Sequence, residues 1–212
     1  MMEYLVTMTT HVPAGTPGEA VADVRAREAA HTRELAAQGH ILRLWRPPLA
    51  PGEWRTLGLF AAADGDELQR VLASMPLRVW RTDEVTPLGP HLNDPGAPRD
   101  RAAGDRPSGT ESLTVFTVVF PDGTPREVVE EATRGEARSA HEFGAQGHLI
   151  RLWALQSEDS AWRALGLWRA EDEAQLTQML DSLPLDPWMT VQTTPLTPHP
   201  SDPGVNTSSI AR

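Results

Sequence analysis

The chain has 212 residues, enough for one large domain or two small ones, and carries a net charge of −10. All nineteen of its Lys+Arg residues are arginine, but an acidic chain gains little from the phosphate attraction that drives nucleic-acid binding, so no nucleic-acid partner is expected. With no cysteine, disulfides and thiolate metal sites are excluded. No run approaches the ~18 apolar residues of a membrane span, and the N-terminus, Met1 to Thr7, lacks the basic and apolar regions of a signal peptide. A soluble, cytoplasmic protein with no membrane partner is the expectation.

Leu5 to Thr10 is a short apolar and β-branched run that stops at Pro13, and it reads as a first strand. Thr16-Pro17-Gly18-Glu19 then has the signature of a helix start, with threonine as cap, proline at the first helical position and glutamate reaching back. This helix should end at Gln38-Gly39, where glycine supplies the stop. Ile41 to Trp45 reads as strand two, the Pro-rich segment 47–52 as a loop, and Trp54 to Phe60 as strand three. Asp64 opens a second helix with apolar positions at Leu68, Val71, Leu72 and Met75, closed by Pro76. A last strand runs from about Trp80 to Leu88.

The same elements return 108 residues later without a gap. Residues 28–96 are identical to residues 136–204 at 32 of 69 positions, from Glu28 and Glu136 to Asp94-Pro95-Gly96 and Asp202-Pro203-Gly204. In the second copy the strands fall at Leu113 to Phe120, Leu149 to Trp153, Trp162 to Trp168 and Trp188 to Leu196. Its first helix starts at Thr124-Pro125, and its second at Asp172. The order strand, helix, strand, strand, helix, strand is the ferredoxin-like split βαβ unit. The fold class is therefore α+β, a tandem duplication of a βαββαβ unit whose two copies pack as an intrachain dimeric α+β barrel. The expected boundaries are 1–96 for the first repeat, 97–110 for a linker, 111–204 for the second repeat and 205–212 for a tail, with the chain after Asp202 disordered or loosely draped.

On helix one, Val21, Val24, Glu28 and Leu35 share a face, as do Val129, Ala132, Glu136 and Phe143. A carboxylate on an inward stripe is desolvated, which raises its pKa and suits it to act as a base near neutrality. The alternative is that each glutamate pairs with an inward arginine and locks helix to sheet. Arg43 lies mid-strand on one face with Ile41 and Trp45, and Arg151 with Leu149 and Trp153, by two-residue alternation. They suit a forked grip on a substrate carboxylate, or pairing with the helix-one glutamate. Arg46 becomes Ala154 in the second copy, so a site that uses Arg46 is impaired or differently selective there. His91 and His199 follow the last strands and are placed to reach across to the other copy's site. His40 and His148 read as capping groups, and the paired tryptophans as core. No histidine pair has zinc-ligand spacing, and no phosphate loop, serine elbow or nucleophilic cysteine is present. No metal is expected.

Glu28, Gly39, Arg43-Leu44-Trp45-Arg46, Met75-Pro76-Leu77, and Leu88 with His91 resemble the muconolactone delta-isomerase family of the dimeric α+β barrel superfamily. Glu136, Gly147, Leu152-Trp153, the stretch Leu183 to Met189, and Leu196 with His199 repeat the pattern. The resemblance implies a cofactor-free isomerase of aromatic catabolism acting on a small carboxylated lactone. Glu28 and Glu136 would be the bases, and Arg43, Arg46 and Arg151 would bind the anion, with Trp45, Trp153, His91 and His199 contributing to the substrate site. It also implies ring-shaped oligomers of single units, so a homo-oligomer of the fused pair is possible. A non-catalytic binding or assembly module of the same fold, or a cofactor-free monooxygenase, are the alternatives.

Overall fold

The computed structural model describes residues 1–96, 109–157 and 161–206. In chain order the elements are β1 (Met2–Thr10), α1 (Gly18–Ala37), β2 (Ile41–Arg46), β3 (Arg55–Ala62), α2 (Gly65–Ser74) and β4 (Arg81–Pro90). The second set is β5 (Thr110–Val118), α3 (Arg126–Gln146), β6 (Leu149–Leu155), β7 (Trp162–Ala170), α4 (Glu173–Asp181) and β8 (Met189–Pro198), with a short α5 (Pro203–Asn206). The βαββαβ order expected from the sequence is present twice. The expected linker lies outside the described residues except for Gly109 and Thr110.

The chain divides into two compact units that do not follow the repeat boundaries. One is Met1–Leu88 with Thr197–Arg212, and the other is Gly89–Leu196. In the first unit β1 lies between β3 and β4, β3 pairs with β2, and Trp45 and Arg46 of β2 pair with Pro198 and Thr197 from the end of β8. In the second unit β5 lies between β7 and β8, β7 pairs with β6, and Trp153 and Ala154 of β6 pair with Pro90 and Gly89 from the end of β4. Every pairing is antiparallel. The last strand of each repeat thus ends as the outer strand of the other unit, where its backbone donors and acceptors find partners.

The local reasons are readable element by element. β1 buries Tyr4, Val6, Met8 and Thr10 in strict alternation. Tyr4, Val6 and Met8 cluster with Leu35, Ile41, Leu44, Phe60, Leu68 and Leu72 as the core under α1 and α2. Gly58 faces that core because a methyl group there would collide with the Phe60 ring. Asp64 and Asp172 cap α2 and α4 as expected, accepting from the amides of Glu67 and Gln175 at 2.8 Å. The side-chain oxygens of Glu67 and Gln175 in turn accept from the amides of Ala63 and Glu171, one residue before each cap.

Three expectations are corrected. Thr16 and Thr124 do not cap helix one. Their hydroxyls donate to the carbonyls of Pro13 and Pro121 at 2.7 Å, which closes the preceding turn, and Pro17 and Pro125 stand at the cap positions. Ile41 does not share a face with Arg43, because the register shifts between them. The extra residue turns Ile41 and Leu44 together into the core and leaves Arg43 partly exposed above Trp45. The start of the tail is not loosely draped. Asp202 is fully buried, and Pro203–Asn206 form a helical turn packed on β2. The rest of the expected tail, 207–212, lies outside the described residues.

That anchor is an ion pair. The Asp202 carboxylate accepts from the Leu44 amide at 3.0 Å, from Arg43 Nη2 at 3.0 Å and from the Gly204 amide at 3.1 Å. In the second unit Asp94 accepts from the Leu152 amide at 2.8 Å and from Arg151 Nε at 3.2 Å. Removing one partner from a buried pair leaves an uncompensated charge. Asp202→Ala is expected to lower unfolding stability by about 3 kcal/mol in denaturant titration. A loss below about 0.5 kcal/mol, the range of ordinary surface substitutions, would show that the tail is not held by this contact.

Candidate functional site

Helix α1 brings Glu28 to the wall of a cavity of about 300 Å³ in the first unit. Its floor is apolar, with Met8, Leu44, Met75 and Leu77, and its polar lining comes from Thr10, Thr32, Thr56, Arg25, Arg46 and Arg81. His199, from the segment after β8, completes it. This histidine is placed by the aspartate clamp. Its amide donates to the Leu44 carbonyl at 3.0 Å and its carbonyl accepts from the Asp202 amide at 2.8 Å.

The Glu28 carboxylate is held at both oxygens. The Leu77 amide donates to one at 2.8 Å, and Arg81 Nη1 lies 3.2 Å from the other. Arg81 in turn binds Asp83, with Nε 2.6 Å from the carboxylate, and its side chain is 2% exposed. Burial raises the Glu28 pKa above its ordinary value, against the opposing effects of the Leu77 amide and Arg81. His199 is pushed down to about 4, first by burial and then by the nearby positive charge of Arg46, so its ring is neutral at physiological pH. The Ser201 amide lies 3.1 Å from Nδ1. A backbone N–H there makes Nδ1 the acceptor and puts the ring proton on Nε2. The site therefore combines a carboxylate of raised basicity, a neutral imidazole with one N–H, and the exposed guanidinium of Arg46, which makes no ion pair among the described residues.

Arg43 and Arg151 line neither the cavity that holds Glu28 nor the one that holds Glu136; they hold Asp202 and Asp94 and lie 4.8 and 4.7 Å over the Trp45 and Trp153 rings. The pairing of Arg43 with Glu28 weighed from the sequence does not occur. Arg81 takes that role in the first copy. Trp45 and Trp153 are buried at 1% and 3% exposure and belong to the core. Sequence reasoning misses Arg81, Asp83, Asp94 and Asp202 as site-building residues. The repeated Asp-Pro-Gly is the available signal for the two clamp aspartates, and the replacement of Arg81 by Met189 across the repeat is the signal for Arg81.

The second unit has a smaller cavity of about 100 Å³ that holds Glu136 and His91, opening beside a groove that both residues also line. Glu136 accepts from the Leu185 amide at 3.2 Å and has no arginine partner among the described residues. Burial raises its pKa as it raises that of Glu28, and burial lowers that of His91. Among the described residues no group of three or more His, Asp or Glu side chains is gathered to hold a metal. No described helix is long and apolar enough to cross a membrane.

A family model described as muconolactone delta-isomerase matches residues 2–94 and again 112–202. The muconolactone delta-isomerase of Cupriavidus pinatubonensis is 33% identical over 90 residues, 42% of this chain and 95% of that protein. That of Acinetobacter baylyi is 28% identical over 99 residues, 47% of this chain and 97% of that protein. Among solved structures, a heme-binding protein of Thermus thermophilus matches 95% of this chain and 93% of its own at 12% identity, with a TM-score of 0.58. A chlorite dismutase from Candidatus Nitrospira defluvii matches 92% and 91% at 13% identity, with a TM-score of 0.57. These two likenesses show the fold alone, the α+β class of paired ferredoxin-like units expected from the sequence.

The raised pKa of Glu136 has a consequence for stability. A carboxyl that titrates higher in the folded chain than its ordinary 4.5 contributes stability that is present below that value and lost as the pH rises through the raised one. Glu136→Gln is therefore expected to raise the melting temperature at neutral pH, with the gain shrinking as the pH falls below the ordinary carboxylate value. A glutamine variant that melts lower than the parent at neutral pH would contradict the assignment.

Proposed function

The chain belongs to the muconolactone delta-isomerase family, and from that premise we propose that the first-copy cavity shifts the double bond of a small carboxylated lactone, muconolactone or a near analogue, without a cofactor. The observation that supports this best is Glu28, a carboxylate of raised pKa, facing the same cavity as Arg46 and His199. Arg46 is the cation placed to take the substrate carboxylate, since Arg81 is committed to Glu28 and Asp83 and Arg25 lies 5.3 Å over the Trp54 ring. With the carboxylate held there, Glu28 takes the ring proton at C4. The electron pair of that C–H bond moves into the conjugated system and onto the lactone carbonyl oxygen. The N–H of neutral His199 is suited to bond the developing negative oxygen. Glu28 then returns the proton at C2, so that the product is an isomer and the enzyme is unchanged.

Arg81 is a positioning residue in this scheme. It is almost fully buried and its guanidinium is shared between Glu28 and Asp83, which fixes the carboxylate and limits how far its pKa rises. A glutamate with no charged partner would pass its proton less readily back and forth near neutrality.

Two substitutions test the reading by ultraviolet-monitored turnover of muconolactone. Glu28→Gln is expected to lower kcat by about 10³-fold, the usual range for loss of a general base. Arg46→Ala is expected to raise KM on the order of 10- to 100-fold, as loss of one charge-assisted hydrogen bond implies. Undiminished turnover in the glutamine variant would remove Glu28 from the mechanism.

A further inference from the structure

The repeat makes the two cavities comparable residue by residue, and the differences run one way. Arg46, Arg81, Thr10, Thr32 and Thr56 in the first copy stand where the second has Ala154, Met189, Val118, Ala140 and Ala164. Both of these arginines and the three hydroxyls are gone, and Arg25 of the first cavity is Thr133 in the second copy, while the glutamate and the histidine are kept. The remaining polar groups in the second cavity are few. Glu136 faces it from α3, and His91 from the segment after β4, with the Asn93 amide 3.1 Å from Nδ1. A backbone donor at Nδ1 leaves the His91 Nε2–H available as a donor. The wall also contains Trp168, whose indole nitrogen is buried without a hydrogen-bond partner.

The cations near this cavity are peripheral. Arg163 lines it from an exposed position. Arg134 lines the adjoining groove with its Nε donating to the Glu130 carbonyl at 3.1 Å. A carboxylate entering the cavity would lose its hydration beside Glu136, which has no arginine partner among the described residues, and Met189 stands where the first cavity has the buried Arg81.

We propose that the second-copy cavity is a separate binding site for an uncharged cyclic carbonyl compound, a neutral lactone or ring ketone, and that it discriminates against carboxylates. The apolar walls of Phe116, Val118, Leu152 and Met189 take the ring. The Nε2–H of His91 is the donor suited to its carbonyl oxygen. Trp162, half exposed and shared between cavity and groove, forms the entrance. The chain then carries two sites of one ancestry, one for a carboxylate and one for an uncharged ring.

The test is calorimetric titration of the whole chain with α-angelica lactone, an uncharged five-membered lactone that lacks the carboxylate of muconolactone. Saturable binding is expected at one equivalent per chain. The affinity is expected to fall at least about tenfold in Ala164→Met, which fills the cavity, and in Trp162→Ala, which removes an exposed side chain and leaves the core intact. Absence of saturable binding, displacement of the neutral lactone by muconolactone, or affinity unchanged in both variants would overturn the proposal. Because the readout needs no turnover, a chain that binds the neutral lactone but leaves muconolactone unconverted would refute the isomerase reading and leave this site standing.

Discussion

The Asp202 carboxylate has no solvent exposure, and it is satisfied by the Leu44 amide and the Arg43 guanidinium, each at 3.0 Å. This contact ties the segment after β8 to β2 and so carries His199 into the cavity that holds Glu28. Asp94, Arg151 and Leu152 repeat it for His91 and Glu136. A buried charge pair of this kind adds little net stability over an apolar pair, but it tolerates few alternative arrangements. Its value here is placement: each repeat donates the histidine of the other repeat's site. Gly204 belongs to the same device, since a methyl group there would collide with the Arg43 guanidinium.

Placement also explains why the two glutamates share a position but not a chemical setting. Glu28 and Glu136 both accept a backbone amide from the turn after the second helix, from Leu77 and Leu185. Burial raises both. The difference lies on β4 and β8, where Arg81 faces one carboxylate and Met189 stands at the equivalent place by the other. A single strand position thus separates a carboxylate balanced by a guanidinium from one balanced only by an amide. Duplication frees one copy to change in this way while the other keeps its charge pattern.

Much of this was legible in the sequence. The identities at a spacing of 108 residues revealed the duplication, and the alternation of β1 and the caps at Asp64 and Asp172 placed the elements that carry the site. The inward faces of α1 and α3 pointed to Glu28 and Glu136, and the substitution of Arg46 by Ala154 pointed to unequal copies. What was not legible depended on geometry beyond local pattern. Alternation along β2 fails at the bulge between Ile41 and Arg43, which no residue type there announces. The partner of Arg43 lies 159 residues away, and both a helix glutamate and a tail aspartate were chemically suitable. Identities drew attention to what the copies share, whereas Arg81 becomes visible only through what they do not.

The proposed function and the differences between the two cavities give the chain one carboxylate-binding site, built around Glu28 and Arg46, and not two. Calorimetric titration of the turnover-deficient Glu28→Gln chain with muconolactone tests it most directly. One equivalent bound per chain, lost when Arg46→Ala is added, is the expected result. Two equivalents, or one that survives the loss of Arg46, would contradict it.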